Sequence, residues 1–147
     1  MSPFYLSIAF VTGAAIAVQA LANSRLRFAL GTPVWAAIAQ FIVGLAALAV
    51  IAIVTRQPAP DGGGLSRMPW WGWVGGAIGA LFITVSIVLT PRLGTAVTLA
   101  TMTVGQLLAA LVLDHYGWLG APVVRLSPAR VLGAACLLLG IALMRLK

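Results

Sequence analysis

The sequence contains very few of the residue types that carry out chemistry. Among 147 residues it has two acidic residues, both aspartate, with one histidine and one cysteine. Cys136 cannot form an intrachain disulfide, and its position in an apolar run is typical of a core thiol. So few ligands do not assemble a zinc site, and no acid–base pair lies within an apolar run. No glycine-rich loop leads to a phosphate-binding lysine. We therefore predict no enzymatic activity, no metal site and no cofactor.

Charge is scarce as well, which excludes an ordinary soluble domain. Only 7% of the residues are charged and 62% are apolar, whereas a soluble domain carries about a quarter charged residues. The net charge of +7 comes from basic residues scattered over the loops and the C-terminus. They form no stripe of the kind that binds nucleic acid, and basic residues that flank apolar runs are a membrane orientation signal. We therefore expect the lipid bilayer, and no nucleic acid, as a partner.

The chain does contain apolar runs of about 20 residues, the length that crosses a bilayer. We predict an all-α polytopic membrane protein in which residues 1–147 form a single transmembrane domain of five helices. The predicted helices cover residues 4–22, 33–53, 70–90, 95–115 and 129–146. The N-terminus lacks the basic region and cleavage site of a signal peptide, so the first run is expected to remain as a helix. Proline and glycine predict loops at 55–69 and 116–128.

The predicted helix 95–115 carries the polar residues on which the functional interpretation centres. Its interior holds four threonines, Gly105 and Gln106. Polar groups at bilayer depth are costly, so they usually face a protein interior or a water-filled cavity. We predict that this helix lines a transport pathway.

Polar residues in the other predicted helices extend this candidate site. Gln19 and Asn23 are four residues apart, which predicts a shared helix face. Other interpretations are a helix-end cap for Asn23, an interhelical hydrogen bond worth about 0.6 to 2 kcal/mol for Gln19, and a bond from Ser86 to its own helix. The candidate substrate-binding residues are Gln19, Asn23, Gln40, Ser86, Thr101 and Gln106.

Asp114 and His115 close the helix 95–115 and are candidates for a proton-carrying or gating group. An acid at a helix C-terminus opposes the helix dipole, so Asp114 should have a compensating partner. His115, Arg130 and a backbone donor are the candidates. The alternative to a proton-carrying or gating role is that Asp114 forms a structural pair with one of these partners at the membrane surface.

Small residues predict where helices pack closely. The pairs Gly72/Gly76 and Gly75/Gly79 are overlapping GxxxG motifs, which favour helix packing or dimerisation, although a glycine face can also leave space for a ligand. Gly133 and Gly140 suggest a second packing face, within the chain or with another subunit. The turn at Pro91–Gly94 should end one helix and force the next into an antiparallel hairpin.

The basic residues are nearly balanced across the predicted membrane. Five spans would put five basic residues on one side and four on the other. The two sets are Arg25, Arg27, Arg92, Arg145 and Lys147, and Arg56, Arg67, Arg125 and Arg130. A fixed orientation needs an excess of Lys and Arg on the cytoplasmic side. The balance therefore favours insertion both ways and an antiparallel dimer, the two-chain version of an inverted repeat.

Five segments, in this order, resemble the YdcZ family, also called DUF606, of the drug/metabolite transporter superfamily. They are Gln19–Leu26, Gly75–Gly79, Pro91–Gly94, Gly105–Gln106 and Asp114–Gly117. The resemblance implies a bacterial inner-membrane protein of five helices, equivalent to half of a ten-helix transporter. It also implies pairing with an inverted second copy or an oppositely oriented paralogue.

These observations predict an exporter of a small metabolite or drug-like solute that works by alternating access around a midplane cavity. The related small multidrug resistance proteins look similar in size but have four helices and a membrane glutamate, which this chain lacks. Amide side chains therefore favour a neutral or weakly charged solute. The alternative is a non-transporting membrane scaffold, or a subunit of a hetero-oligomeric complex, that binds partners through its small-residue faces.

Overall fold

A computed structural model describes residues 3–60 and 62–145, and the regular structure of this part of the chain is helical. The predicted all-α class is confirmed. The elements are α1 (Pro3–Leu30), α2 (Pro33–Val54), α3 (Gly62–Arg67), α4 (Trp71–Leu93), α5 (Thr95–Tyr116), a short 3-10 helix (Trp118–Gly120) and α6 (Pro128–Arg145).

Four of the described helices, α1, α2, α4 and α5, are long and apolar enough to cross a membrane. The apolar part of α6 is shorter, Pro128–Met144, and its 17 residues rise about 26 Å, slightly less than the hydrocarbon thickness of about 30 Å. The structure therefore shows four candidate spans and a shorter apolar helix where the sequence predicts five spans. The predicted end of the last helix at Leu146 lies outside the described residues, as does Lys147.

The predicted end of the first helix at residue 22 is wrong, because α1 continues to Leu30. The drop in hydropathy at Asn23 marks the edge of the apolar run, but leucine and arginine beyond it are good helix formers. Gly31, at φ 80°, is the residue that ends the helix, and Thr32 begins the next one. The hydroxyl of Thr32 accepts a hydrogen bond from the backbone N–H of Trp35 at 3.2 Å. Only two residues separate α1 from α2, so the two helices pack as a hairpin.

The predicted end of the third helix at residue 90 is also wrong. Pro91 lies inside the last turn of α4, and the helix continues to Leu93. A proline removes one hydrogen bond from the ladder but leaves the N–H groups that follow it. Gly94, at φ 82°, turns the chain into α5.

The predicted loop 55–69 contains the short helix α3. Its first three residues are glycine, the poorest helix former after proline, so propensity gave no signal for it. The remaining helix bounds differ from the predictions by at most one residue where they are described.

The chain divides into two compact units, residues 1–92 and 93–147. In the first unit, Ala36 and Ala37 of α2 form a buried cluster with Ile87 of α4, and Leu26 and Ile83 pack against it. In the second unit, α5 packs against α6. The antiparallel pairing of α4 with α5 and the single transmembrane domain stay predictions.

Candidate functional site

Two of the predicted site residues meet across the α1–α2 hairpin. Asn23 is on the buried face of α1 with Ala20 and Ser24, and it is 7% exposed. Its amide nitrogen donates a hydrogen bond to the side-chain carbonyl of Gln40, which is half-buried on α2. The interpretation of Asn23 as a helix-end cap is wrong, because α1 continues seven residues beyond it.

The amide pair has a defined hydrogen-bonding capacity. The Asn23–Gln40 bond uses one donor of Asn23 and one lone pair of the Gln40 carbonyl. The carbonyl of Asn23 and the NH₂ group of Gln40 therefore retain an acceptor and two donors. Neither group carries charge or exchanges a proton near neutral pH. Such a pair is chemically suited to a neutral solute that has both donors and acceptors.

The pair lies nearer to one end of the hairpin than to its middle. Gln40 is seven residues from the start of α2, and Asn23 is seven residues from the end of α1. At 1.5 Å per residue, both lie about 11 Å from the turn that joins the helices. Arg25 and Arg27 lie between the pair and this turn, so the pair lies near the edge of the hydrocarbon layer rather than at its centre.

Two hydroxyl side chains are buried on α4 in the same unit. Ser86, a predicted site residue, is 5% exposed, and Thr90, one turn later, is 4% exposed. The Thr90 hydroxyl has no hydrogen-bond partner among the described residues, which leaves an unfavourable polar group in the interior. Sequence reasoning missed Thr90, although its spacing of four from Ser86 places it on the same helix face. By contrast, the Thr84 hydroxyl donates a hydrogen bond to the carbonyl of Ala80 in its own helix.

The other three predicted substrate residues are exposed. Gln19 on α1 and both Thr101 and Gln106 on α5 lie on exposed faces of their helices. Gln19 and Asn23 thus differ in burial despite their spacing. On α5 the buried polar residue is Thr98, which is 1% exposed and whose hydroxyl has no partner among the described residues. The substrate-binding role of Gln19, Thr101 and Gln106 stays a prediction.

Asp114 has one of the partners that the sequence suggested for it. Nη1 of Arg130 lies 3.6 Å from Oδ2 of Asp114, with both side chains partly exposed. The backbone N–H of Val124 donates to the carbonyl of Asp114 at 2.8 Å, and the N–H of Leu126 donates to Nδ1 of His115 at 3.3 Å. These bonds fasten the segment after α5 to the end of that helix, so they favour the structural interpretation of both residues.

An apolar groove runs between α5 and α6. It has two parts, with volumes of about 360 Å³ and 290 Å³. The first is lined by Leu107, Ala110, Leu111, Asp114, Arg130, Gly133, Ala134 and Leu137. The second is lined by Leu99, Ala100, Thr103, Val104, Cys136, Leu137, Gly140, Ile141 and Met144. Gly133 and Gly140 thus border open space.

Three of the four glycines of α4 do not pack closely against the described residues. A β-carbon built on Gly75, Gly76 or Gly79 would meet no atom within 4 Å. A β-carbon on Gly72 would meet the side chain of Met68, just before the same helix. A packing role for these glycines is therefore a prediction about a partner outside the described residues.

Comparison with known proteins extends over nearly the whole chain. Residues 4–143 match the model of a family described as "Putative inner membrane exporter, YdcZ". The chain is 28% identical over 137 residues to the inner membrane protein YdcZ of Escherichia coli (strain K12), which covers 92% of this chain and 91% of that protein. No solved structure matches. The predicted multi-pass location in a bacterial inner membrane is confirmed by these matches and by the apolar helices. The matched family is one of membrane transporters rather than enzymes.

Proposed function

We propose, from the fact that this chain belongs to the YdcZ family of inner membrane exporters, that two oppositely inserted copies export a small, neutral or weakly charged solute. The Asn23–Gln40 pair is the observation that carries this proposal. It is an uncharged polar site in the same unit as the apolar cluster of Ala36, Ala37 and Ile87. A buried polar group in a membrane helix usually marks a substrate pathway.

The position of the pair suggests how access alternates. In an inverted dimer, two pairs that each lie about 11 Å from one end of a hairpin would be nearer to opposite membrane surfaces. Each pair then acts on the solute from its own side, while rocking of one copy against the other closes one side and opens the other. Gln19, Thr101 and Gln106 are exposed in the single chain, so each is available to face the second copy.

Asp114 takes no part in proton transfer in this proposal. Its carboxylate is already paired with Arg130, and its backbone carbonyl holds Val124. The sequence offers no glutamate as a substitute. We therefore expect facilitated export, driven by the gradient of the solute.

The experiment is uptake into proteoliposomes that contain the full chain. The probe is a ¹³C-labelled extract of polar bacterial metabolites, and mass spectrometry identifies the solutes that enter faster than into protein-free liposomes. Gln40→Leu should lose this uptake by at least about tenfold, because the solute loses its donors and the Asn23 amide loses its partner. Thr12→Val is the matched control, since the Thr12 hydroxyl is exposed and bonds to its own helix at Ile8. Equal uptake by Gln40→Leu and the control would remove the pair from the pathway.

The second candidate function is a non-transporting scaffold. The observation that favours it is the open space around Gly75, Gly76 and Gly79, which leaves a helix face free for close approach by another protein. This candidate predicts that no labelled solute enters faster with the wild-type chain than without it. It also predicts a stable complex with a different protein after detergent extraction.

A further inference from the structure

The α5–α6 groove has the length and composition of a lipid-binding surface. Apart from Asp114, Arg130 and Thr103, its lining is apolar side chains, glycine and Cys136, and Leu137 belongs to both of its parts. From Arg130 to Met144 the groove follows 14 residues of α6, which is about 21 Å. One leaflet of the hydrocarbon layer is about 15 Å deep. The groove is therefore long enough to hold one acyl chain over its full depth in a leaflet.

The charged end of the groove lies where a lipid headgroup would be. Asp114 is two residues from the end of α5. Just beyond it, the rings of Tyr116 and Trp118 stack with centroids 5.2 Å apart, and both residues are exposed. Exposed tyrosine and tryptophan are enriched at the membrane–water interface. The aromatic pair thus marks the interface at the level of the charged residues.

The charges at this end are a carboxylate and a guanidinium side by side. Asp114 is 37% and Arg130 40% exposed, and the two groups are 3.6 Å apart. Each retains unused hydrogen-bonding capacity, because an arginine has five N–H donors and a carboxylate about four acceptor positions. The pair can therefore bind one anionic and one cationic group of the same ligand.

We propose that the α5–α6 groove binds one molecule of a zwitterionic phospholipid whose headgroup carries a primary ammonium. Its phosphate contacts Arg130, its ammonium contacts Asp114, and one acyl chain lies along Leu107, Leu137 and Ile141. The site is distinct from the Asn23–Gln40 pair, and the proposal does not rest on the transport function.

Other occupants fit the groove less well. An anionic lipid would bring its phosphate against the carboxylate of Asp114 with no ammonium to compensate it. A cationic amphiphile would bring its positive charge against the guanidinium of Arg130 with no anionic group to compensate it. A second copy of the chain would cover the half-exposed ion pair, and desolvation of paired charges is unfavourable without further hydrogen bonds.

The test is native mass spectrometry of the full chain, delipidated in detergent and titrated with phosphatidylethanolamine or phosphatidylglycerol. The wild type should bind phosphatidylethanolamine about fivefold more tightly than phosphatidylglycerol, the scale of one ion pair at the surface. Asp114→Asn should remove this preference. Arg125→Gln tests a charge outside the groove and should keep the preference, because Arg125 is exposed between α5 and α6 and does not line the groove. Equal affinities for the two lipids in the wild type would overturn the proposal.

A second pair of variants separates the groove from the rest of α6. Gly133→Leu fills the groove, and a β-carbon at Gly133 meets no atom within 4 Å. Ala135→Leu adds similar volume at an exposed residue outside the groove lining. Gly133→Leu should weaken phosphatidylethanolamine binding at least fivefold relative to Ala135→Leu. If Gly133→Leu instead dissociates a dimer and leaves lipid binding intact, the groove is a protein interface and the proposal is wrong.

Discussion

Asn23 and Gln40 are each able to make several hydrogen bonds, and in this chain they make one with each other. Asn23 is shielded from water because it is buried, and a buried amide that faces another helix has few alternatives to a protein partner. Gln40 follows Ala36 and Ala37 by four and three residues on α2, and these two alanines form the apolar cluster with Ile87. Because the side chains of Ala36 and Ala37 are small, α2 can pack closely against α1. The hairpin therefore holds the amide pair in a fixed position.

The pair should contribute measurably to the stability of the protein. In a double-mutant cycle of Asn23→Ala and Gln40→Ala, we expect a coupling energy of about 0.6 to 2 kcal/mol, the range of interhelical hydrogen bonds in membranes. The measurement is the free energy of unfolding in mixed micelles titrated with a denaturing detergent. Thr12→Ala combined with Gln40→Ala is the control cycle, and its effects should add within about 0.5 kcal/mol. A coupling energy of zero for the first cycle would show that the two amides do not interact.

At this scale the sequence identified the amides but not their pairing. A polar residue in an apolar run predicts that the side chain needs a partner, and this applies to both Asn23 and Gln40. Gln19 met the same criterion but is exposed, since a spacing of four leaves two residues about 40° apart around a helix. Thr90 and Thr98 were missed because a threonine hydroxyl usually bonds to its own helix.

Helix ends are set by single residues rather than by the apolar runs. The apolar run of α1 stops near Ala22, yet the helix continues to Leu30 and ends at a glycine with positive φ. Sequence hydropathy locates the membrane edge, because hydropathy and lipid contact depend on the same property. It does not locate the helix end, because helix propensity is similar on both sides of that edge. Pro91 is a second example: the sequence predicts that the helix ends before this proline, but α4 continues to Leu93.

Gly31 should therefore be critical to the α1–α2 hairpin. Its φ of 80° is a left-handed conformation that other residues adopt at a cost, so Gly31→Ala should lower the free energy of unfolding by about 1 to 2 kcal/mol. Gly44→Ala is the matched control. Gly44 lies inside α2 with no atom within 4 Å of an added β-carbon, so alanine there should raise stability by about 0.5 to 1 kcal/mol. A Gly31→Ala variant as stable as the wild type would show that this glycine does not fix the turn.

Within each of the two units, few of the described apolar side chains are buried. The buried apolar residues that are described are Ala20, Ala36, Ala37, Ile87, Val104 and Ala134. Large side chains such as Phe10 and Ile53 are more than three-quarters exposed, which suits contact with lipid or with a second copy. Association in membranes depends on close packing and hydrogen bonds rather than on hydrophobic burial. The sequence therefore predicted the membrane location from composition, but composition does not specify how many copies assemble.

Orientation in the membrane is the property of the whole molecule that the sequence makes testable. Fusions of green fluorescent protein or alkaline phosphatase to the C-terminus report whether that end is cytoplasmic or periplasmic. Because five basic residues face four across the predicted spans, we expect both reporters to be active on the wild-type chain. Removing Arg56 and Arg67 together leaves five basic residues on the side of the C-terminus and two on the other side. The positive-inside rule then holds the C-terminus in the cytoplasm.

The opposite change is the matched control for this balance. Arg25→Gln with Arg27→Gln removes the same number of charges from the other set and leaves three against four. The phosphatase signal should then rise relative to fluorescence, whereas it should nearly vanish in the Arg56→Gln/Arg67→Gln chain. If the wild type reports from one side alone and neither double variant changes the ratio, the chain has a fixed orientation. An inverted homodimer would then be excluded, and the transport proposal would require an oppositely oriented paralogue as the second half.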